Sequence, residues 1–131
     1  MRAVILACFT LIGALFAPAQ AQQTPGYSTI TVEELAQMLQ QGPKDFSLVN
    51  VHIPYEGELP QTDAFIQFDQ IADNLDKLPA GKDAKIVLYC RSGRMSEIAG
   101  ATLASLGYTN VSHVQGGFVA WAKAGHELIH R

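Results

Sequence analysis

The chain has 131 residues, 9 Lys+Arg against 12 Asp+Glu, a formal net charge of −3 and 48% hydrophobic residues. That length suits one domain with a single core. The mildly acidic balance, with no Lys/Arg block, argues against nucleic acid or an anionic membrane as the main partner.

Residues 1–21 are expected to be an export signal. Arg2 gives a positive start, Val4 to Phe16 an apolar core, and Ala19-Gln20-Ala21 a small-x-small cleavage pattern. The apolar run is short for a membrane span, so no membrane segment is expected after cleavage. Ile5-Leu6-Ala7-Cys8 loosely resembles a lipidation box, but almost no hydrophobic core precedes it, and simple cleavage is the reading adopted. The mature chain is then residues 22–131, one domain, periplasmic or secreted, with a net charge of −4 once Arg2 is removed.

Tyr27–Ile30 reads as a short strand. Thr31 and Glu34 form a capping-box pair, and Leu35, Met38 and Leu39 make the stripe of a helix ending at Gly42-Pro43. Phe46–Val51 is a strand, 52–63 a loop, Ala64–Phe68 a brief strand, and Gln70–Leu78 a helix with Ile71, Leu75 and Leu78 inward. Ile86–Tyr89 is an apolar run suited to a parallel strand covered on both faces. Ser96–Leu106 is a helix burying Ala99, Thr102, Leu103 and Leu106, stopped by Gly107. Val111–Val114 is a strand, and Gly116-Gly117 turns into a helix over Phe118–Lys123 that carries Trp121. Strands alternating with helices predict an α/β fold with a mainly parallel central sheet and helices on both faces.

Sites in such sheets lie beyond the carboxyl ends of the strands, which is where Cys90 falls. With Cys8 removed, Cys90 is the one cysteine of the mature chain, so no internal disulfide forms. A thiol attacks as its thiolate, and a free thiol ionises near pH ~8.5, so positive surroundings favour reaction. Arg91 and Arg94 supply charge, the helix that follows supplies its N-terminus, and Gly93 lets successive N–H groups curl into an anion-binding nest. Free cysteine is often only a small core hydrophobe. The polar Arg-Ser-Gly-Arg loop that follows favours a nucleophile.

Tyr89-Cys90-Arg91-Ser92-Gly93-Arg94-Met95-Ser96 resembles the active-site loop of the rhodanese-like sulfurtransferases. The resemblance continues through Leu106-Gly107-Tyr108, Val114-Gln115-Gly116-Gly117-Phe118-Val119-Ala120-Trp121 and Ala124-Gly125-His126, covering most of residues 27–128. It implies a ping-pong reaction. Cys90 takes sulfane sulfur from a small anionic donor such as thiosulfate, becomes a persulfide, and passes the sulfur to cyanide, a thiol or a partner protein. The backbone of Arg91, Ser92, Gly93, Arg94, Met95 and Ser96 would cradle the persulfide. Arg91 and Arg94 would hold the donor's oxyanion, and Ser96 would cap the helix or donate to the sulfur. No metal or organic cofactor is implied, and a monomer is expected. Where the family usually carries Asp-Val-Arg, this chain has Asn50-Val51-His52, which puts Asn50 and His52 beside the site as second-layer residues.

Three rivals remain. A cysteine phosphatase or arsenate reductase resembles Cys-x5-Arg, but the sixth position after Cys90 is Ser96. A non-catalytic interaction module and a protein-to-protein sulfur carrier both keep the fold. His52 alone reads as structural more readily than as a proton donor. The His126 and His130 spacing is only a weak metal pattern. Trp121 reads as core, and Glu56 and Glu58 as a solvated loop.

Overall fold

In the computed structural model, which describes residues 26–131, five strands are joined by helical connections, except that a loop over 51–63 links the second to the third. The strands are β1 (Ser28–Ile30), β2 (Ser47–Asn50), β3 (Ala64–Phe65), β4 (Ile86–Tyr89) and β5 (Val111–Val114). The α-helices are α1 (Val32–Gln40), α2 (Arg94–Ser105) and α3 (Gly117–Lys123). Every pairing is parallel, in the spatial order β1-β5-β4-β2-β3. The export segment expected over 1–21 lies outside the described residues.

The order puts β4 in the middle of the sheet, and all four of its residues are buried. That burial explains a sequence of Ile-Val-Leu-Tyr with no polar side. On one face, Val49, Ile86, Leu88, Cys90 and Val111 pack with Ile71, Ala99 and Leu103. On the other, Leu48, Val87, Tyr89 and Val114 pack with Leu35 of α1 and with Phe118 and Trp121 of α3. Helices thus cover both faces, as the alternation of elements predicts. Thr31 caps α1 as expected, accepting from the Glu34 N–H at 3.1 Å.

Four expectations are corrected. The helix expected over Gln70–Leu78 is two 3₁₀ pieces, Phe68–Asp73 and Leu75–Lys77, and Phe68 belongs to the first rather than to β3. The break is Asn74, whose side chain donates to the Gln70 carbonyl at 2.8 Å; short polar side chains compete with helical backbone in this way. The helix expected from Ser96 starts at Arg94, because Gly93 already turns the chain with φ 124°. Leu106 is 39% exposed, since it follows the last helical residue where the chain swings away. Glu58 is buried: its backbone pairs with Ile129 in an antiparallel bridge, and its carboxylate meets Arg131 at 2.5 Å in an ion pair not angled as a hydrogen bond.

Gly117 fixes the position of α3. It has φ 54°, and a Cβ there would stand 2.2 Å from the Cys90 carbonyl oxygen and 2.5 Å from that of Arg91. The next two N–H groups, of Phe118 and Val119, donate to those same carbonyls at 3.0 Å each. We expect Gly117→Ala to lower the unfolding free energy by about 3 kcal/mol in urea titration. Gly107→Ala, at φ 94° with open space around the new Cβ, should cost about 1 kcal/mol.

Tyr89 shows what the interior of the sheet enforces. Its hydroxyl accepts from the Leu59 N–H at 3.0 Å and lies 2.8 Å from Thr62 Oγ1. Burial pushes the phenol up from 10.0 to about 12, with the Thr62 and Leu59 hydrogen bonds opposing. The native state therefore holds this proton more tightly than the unfolded chain. Its stabilisation is complete below pH 10 and is lost as pH rises from 10 toward 12, by about 2–3 kcal/mol. Tyr89→Phe should remove that alkaline loss and cost about 1–3 kcal/mol at neutral pH, because the Leu59 N–H loses its acceptor. Denaturant midpoints of both proteins across this pH range check it.

Candidate active site

Cys90 follows β4 directly, at the carboxyl end of the sheet, and is 1% exposed. The positive φ of Gly93 folds the loop back so that the Gly93 N–H points at Cys90 Sγ, 3.0 Å away. No side chain larger than hydrogen adopts that φ cheaply. The helix α2 begins at the next residue. Its first backbone bond runs from the Glu97 N–H to the Gly93 carbonyl at 3.0 Å, leaving the N–H groups of Arg94, Met95 and Ser96 without acceptors inside the helix. The sulfur therefore sits at the positive end of a twelve-residue helix.

Ser96 is fully buried in the first turn of α2, so it is not the helix cap. Its Oγ lies 3.6 Å from Cys90 Sγ, 2.9 Å from the Gly93 carbonyl and 3.1 Å from His113 Nδ1. His113 is 2% exposed on β5, opposite Leu88 of β4 on one side and Thr29 of β1 on the other. Its Nε2 is 3.2 Å from Thr29 Oγ1 and 3.9 Å from Glu97 Oε1. Burial pushes the imidazole below its usual 6.5, with the Glu97 carboxylate opposing, so the ring is neutral at neutral pH.

The loop thus gathers Cys90, Gly93 and Ser96 around the sulfur. It does not gather the arginines there. Arg91, Ser92 and Arg94 are exposed, and Met95 packs partly into the core, so its contribution to the cradle is backbone only. Arg91 Nε lies 3.8 Å from Glu56 Oε2, whereas Arg94 has no ion-pair partner among the described residues.

Asn50 ends β2, the neighbour of β4, and His52 follows it. The structure does not bring either side chain to Cys90, since alternation places both on the α1/α3 face of the sheet while Cys90 lies on the α2 face. Asn50 is fully buried; its Nδ2 donates to the Gly57 carbonyl at 3.2 Å, and its Oδ1 accepts from the His52 N–H at 3.0 Å. His52 is buried edge-on to Phe118, with Nε2 2.9 Å from Glu56 Oε2 and Nδ1 without a hydrogen-bond partner among the described residues. Glu56 is exposed as expected, yet it ties His52 to Arg91. His126 stacks on Trp121 with ring centroids 4.3 Å apart, and the residues after α3 form no helix that would pair it with His130. Among the described residues, no group of three or more His, Cys, Asp or Glu is placed to hold a metal ion.

Sequence reasoning missed His113, Thr29 and the contact role of Gly117. A signal for the first was present: a histidine inside the buried run Val-Ser-His-Val needs polar partners.

Comparison with known proteins places this geometry. The rhodanese-like domain family matches residues 31–124. The chain is 37% identical over 107 residues to a probable adenylyltransferase/sulfurtransferase, MoeZ, of Mycobacterium tuberculosis, covering 79% of this chain but 26% of that protein. It therefore spans about a quarter of that relative's length. A sulfurtransferase of Allochromatium vinosum is 36% identical over 104 residues, covering 76% of this chain and 92% of that one. A rhodanese-like domain protein from Staphylococcus aureus superposes with TM-score 0.66 at 29% identity, covering 79% of this chain and 98% of that chain. With the family match running from the cap of α1 to the end of α3, the chain belongs to the rhodanese-like domain family.

Proposed function

We propose that the protein is a sulfurtransferase that carries sulfane sulfur as a persulfide on Cys90. The observation that carries this reading is the Gly93 N–H held 3.0 Å from a buried sulfur at the N-terminus of α2. A buried anion needs fixed donors in place of water, and this loop provides them. In the first half-reaction the Cys90 thiolate attacks the outer sulfur of thiosulfate. The S–S bond of the donor breaks, its electron pair leaves with sulfite, and Cys90 becomes a persulfide anion. In the second, cyanide or a thiolate attacks the terminal sulfur, and the thiolate of Cys90 is released. No net proton is consumed in the cyanide cycle.

Arg94, exposed at the start of α2 and with no ion-pair partner among the described residues, is the proposed contact for an oxyanion donor, with Arg91 beside it. A phosphatase reading requires an arginine at position 96, where this chain buries a serine against the sulfur. A protein-to-protein sulfur carrier gains support from Glu56. Its carboxylate beside Arg91 disfavours a small dianion more than it disfavours a neutral persulfide donor. Export to the periplasm or beyond rests on residues 1–21 and is proposed with the function.

Incubation with thiosulfate followed by intact mass should add one sulfur atom to the wild type, removable by cyanide, and none to Cys90→Ser. A serine variant that still transfers sulfur would overturn the mechanism. Arg94→Ala should raise the KM for thiosulfate about tenfold with little change in kcat, because it removes a charge-assisted contact made in ground and transition states alike. Glu56→Gln should lower that KM, since it frees Arg91; an unchanged or higher value would show that Glu56 does not oppose the donor.

A further inference from the structure

Ser96 has one hydroxyl hydrogen and three neighbours that compete for it: the Gly93 carbonyl at 2.9 Å, His113 Nδ1 at 3.1 Å and Cys90 Sγ at 3.6 Å. While Cys90 is a thiol, its S–H donates to Ser96, which then gives its own hydrogen to Gly93. Once the sulfur is a thiolate or persulfide it becomes an acceptor, and Ser96 must turn its hydrogen toward it. That turn depends on His113. A neutral ring with a bare Nδ1 takes the serine hydrogen for itself. A ring carrying hydrogen on Nδ1 donates to Oγ and releases the serine hydrogen to the sulfur.

The surroundings accommodate the second form. Thr29 Oγ1 lies 3.2 Å from Nε2, a hydroxyl able to give that nitrogen a hydrogen and so leave the ring's own hydrogen on Nδ1. The other groups facing the ring are the edge of Tyr27, with centroids 5.5 Å apart, and the Glu97 carboxylate at 3.9 Å, which is too far from Nε2 for a hydrogen bond. Burial keeps the ring neutral at neutral pH, and a protonated ring would carry the same Nδ1 hydrogen. The register enforces the line of contacts: Thr29 and Leu88 pair with His113 from opposite sides, and Cys90 lies two residues beyond Leu88 on the same face of the sheet.

We propose that His113 is a positioning residue: it donates from Nδ1 to Ser96, with Thr29 holding that tautomer, and so aims the Ser96 hydroxyl at the ionised sulfur of Cys90. The inference rests on Cys90 being the reactive thiol and is independent of which sulfur donor is used.

Alkylation of the full chain by iodoacetamide, a neutral reagent, reads the thiolate directly across pH. His113→Leu should slow alkylation at neutral pH about tenfold and displace the profile about one unit to higher pH. His113→Asn, whose amide N–H takes the place of Nδ1–H, should restore the wild-type profile. Thr29→Val, at an exposed position, should give a smaller displacement in the same direction. A His113→Leu profile that coincides with the wild type overturns the proposal, as does an Asn variant displaced as far as Leu. Circular dichroism checks folding; if the Leu variant does not fold, Thr29→Val decides, and no displacement there overturns the proposal. Sulfur uptake from thiosulfate on the same preparations keeps the two readings apart. A wild type that alkylates but takes no sulfur removes the thiosulfate reaction and leaves the His113 result standing.

Discussion

Two hydrogen bonds at the start of α3 determine the shape of the loop after β4. The Phe118 and Val119 N–H groups take the carbonyls of Cys90 and Arg91, and Gly117 lets the two backbones approach that closely. With both carbonyls turned toward α3, the loop is held against the Gly-Gly turn, and the next peptide unit brings the Gly93 N–H to 3.0 Å from Cys90 Sγ. The hydrogen bond given to the sulfur among the described residues thus comes from backbone. Side-chain charge is a secondary contribution. A backbone donor of this kind needs no reorganisation when a sulfur beside it gains charge, whereas the Ser96 hydroxyl has to turn.

The same arrangement explains which parts of the molecule were legible in the sequence. β4, β5 and α2 were readable because a central parallel strand must be apolar on both faces and a helix beside it must bury one stripe. Cys90 and Gly93 were readable because a nucleophile at a strand end and a positive-φ turn need those residue types. The segment Phe68–Lys77 was not. Its apolar spacing fits an α-helix, but Asn74 bonds to backbone locally and splits it, and pattern alone does not rank that competition. Glu58 looked solvated because its partner, Ile129, is far along the chain. His113 was opaque for a similar reason: its meaning comes from Ser96 and Thr29, which only the sheet register and the packing of α2 bring to it.

The pair that departs from the family pattern shows how one substitution requires others. The buried Asn50 side chain both donates, to the Gly57 carbonyl, and accepts, from the His52 N–H. A carboxylate has no hydrogen for the first of these bonds, so the path of the 52–58 loop depends on the amide. That path brings Glu56 to His52 and to within 3.8 Å of Arg91. In the resemblance-based expectation, two arginines faced a donor anion from the loop after β4. Here one of them already has a carboxylate beside it, and the other is exposed with no ion-pair partner among the described residues. The positive character available to a bound anion therefore comes mainly from the N-terminus of α2 and Arg94. On the proposed sulfur-transfer reading, such a site holds a single sulfur anion as firmly as before, while its grip on a bulkier dianion outside the cradle is reduced. On that same reading the part that would hold a persulfide and the part that would select a donor are separate, the first made of backbone around Cys90 and the second of Arg94 and of Arg91 with the Glu56 carboxylate beside it.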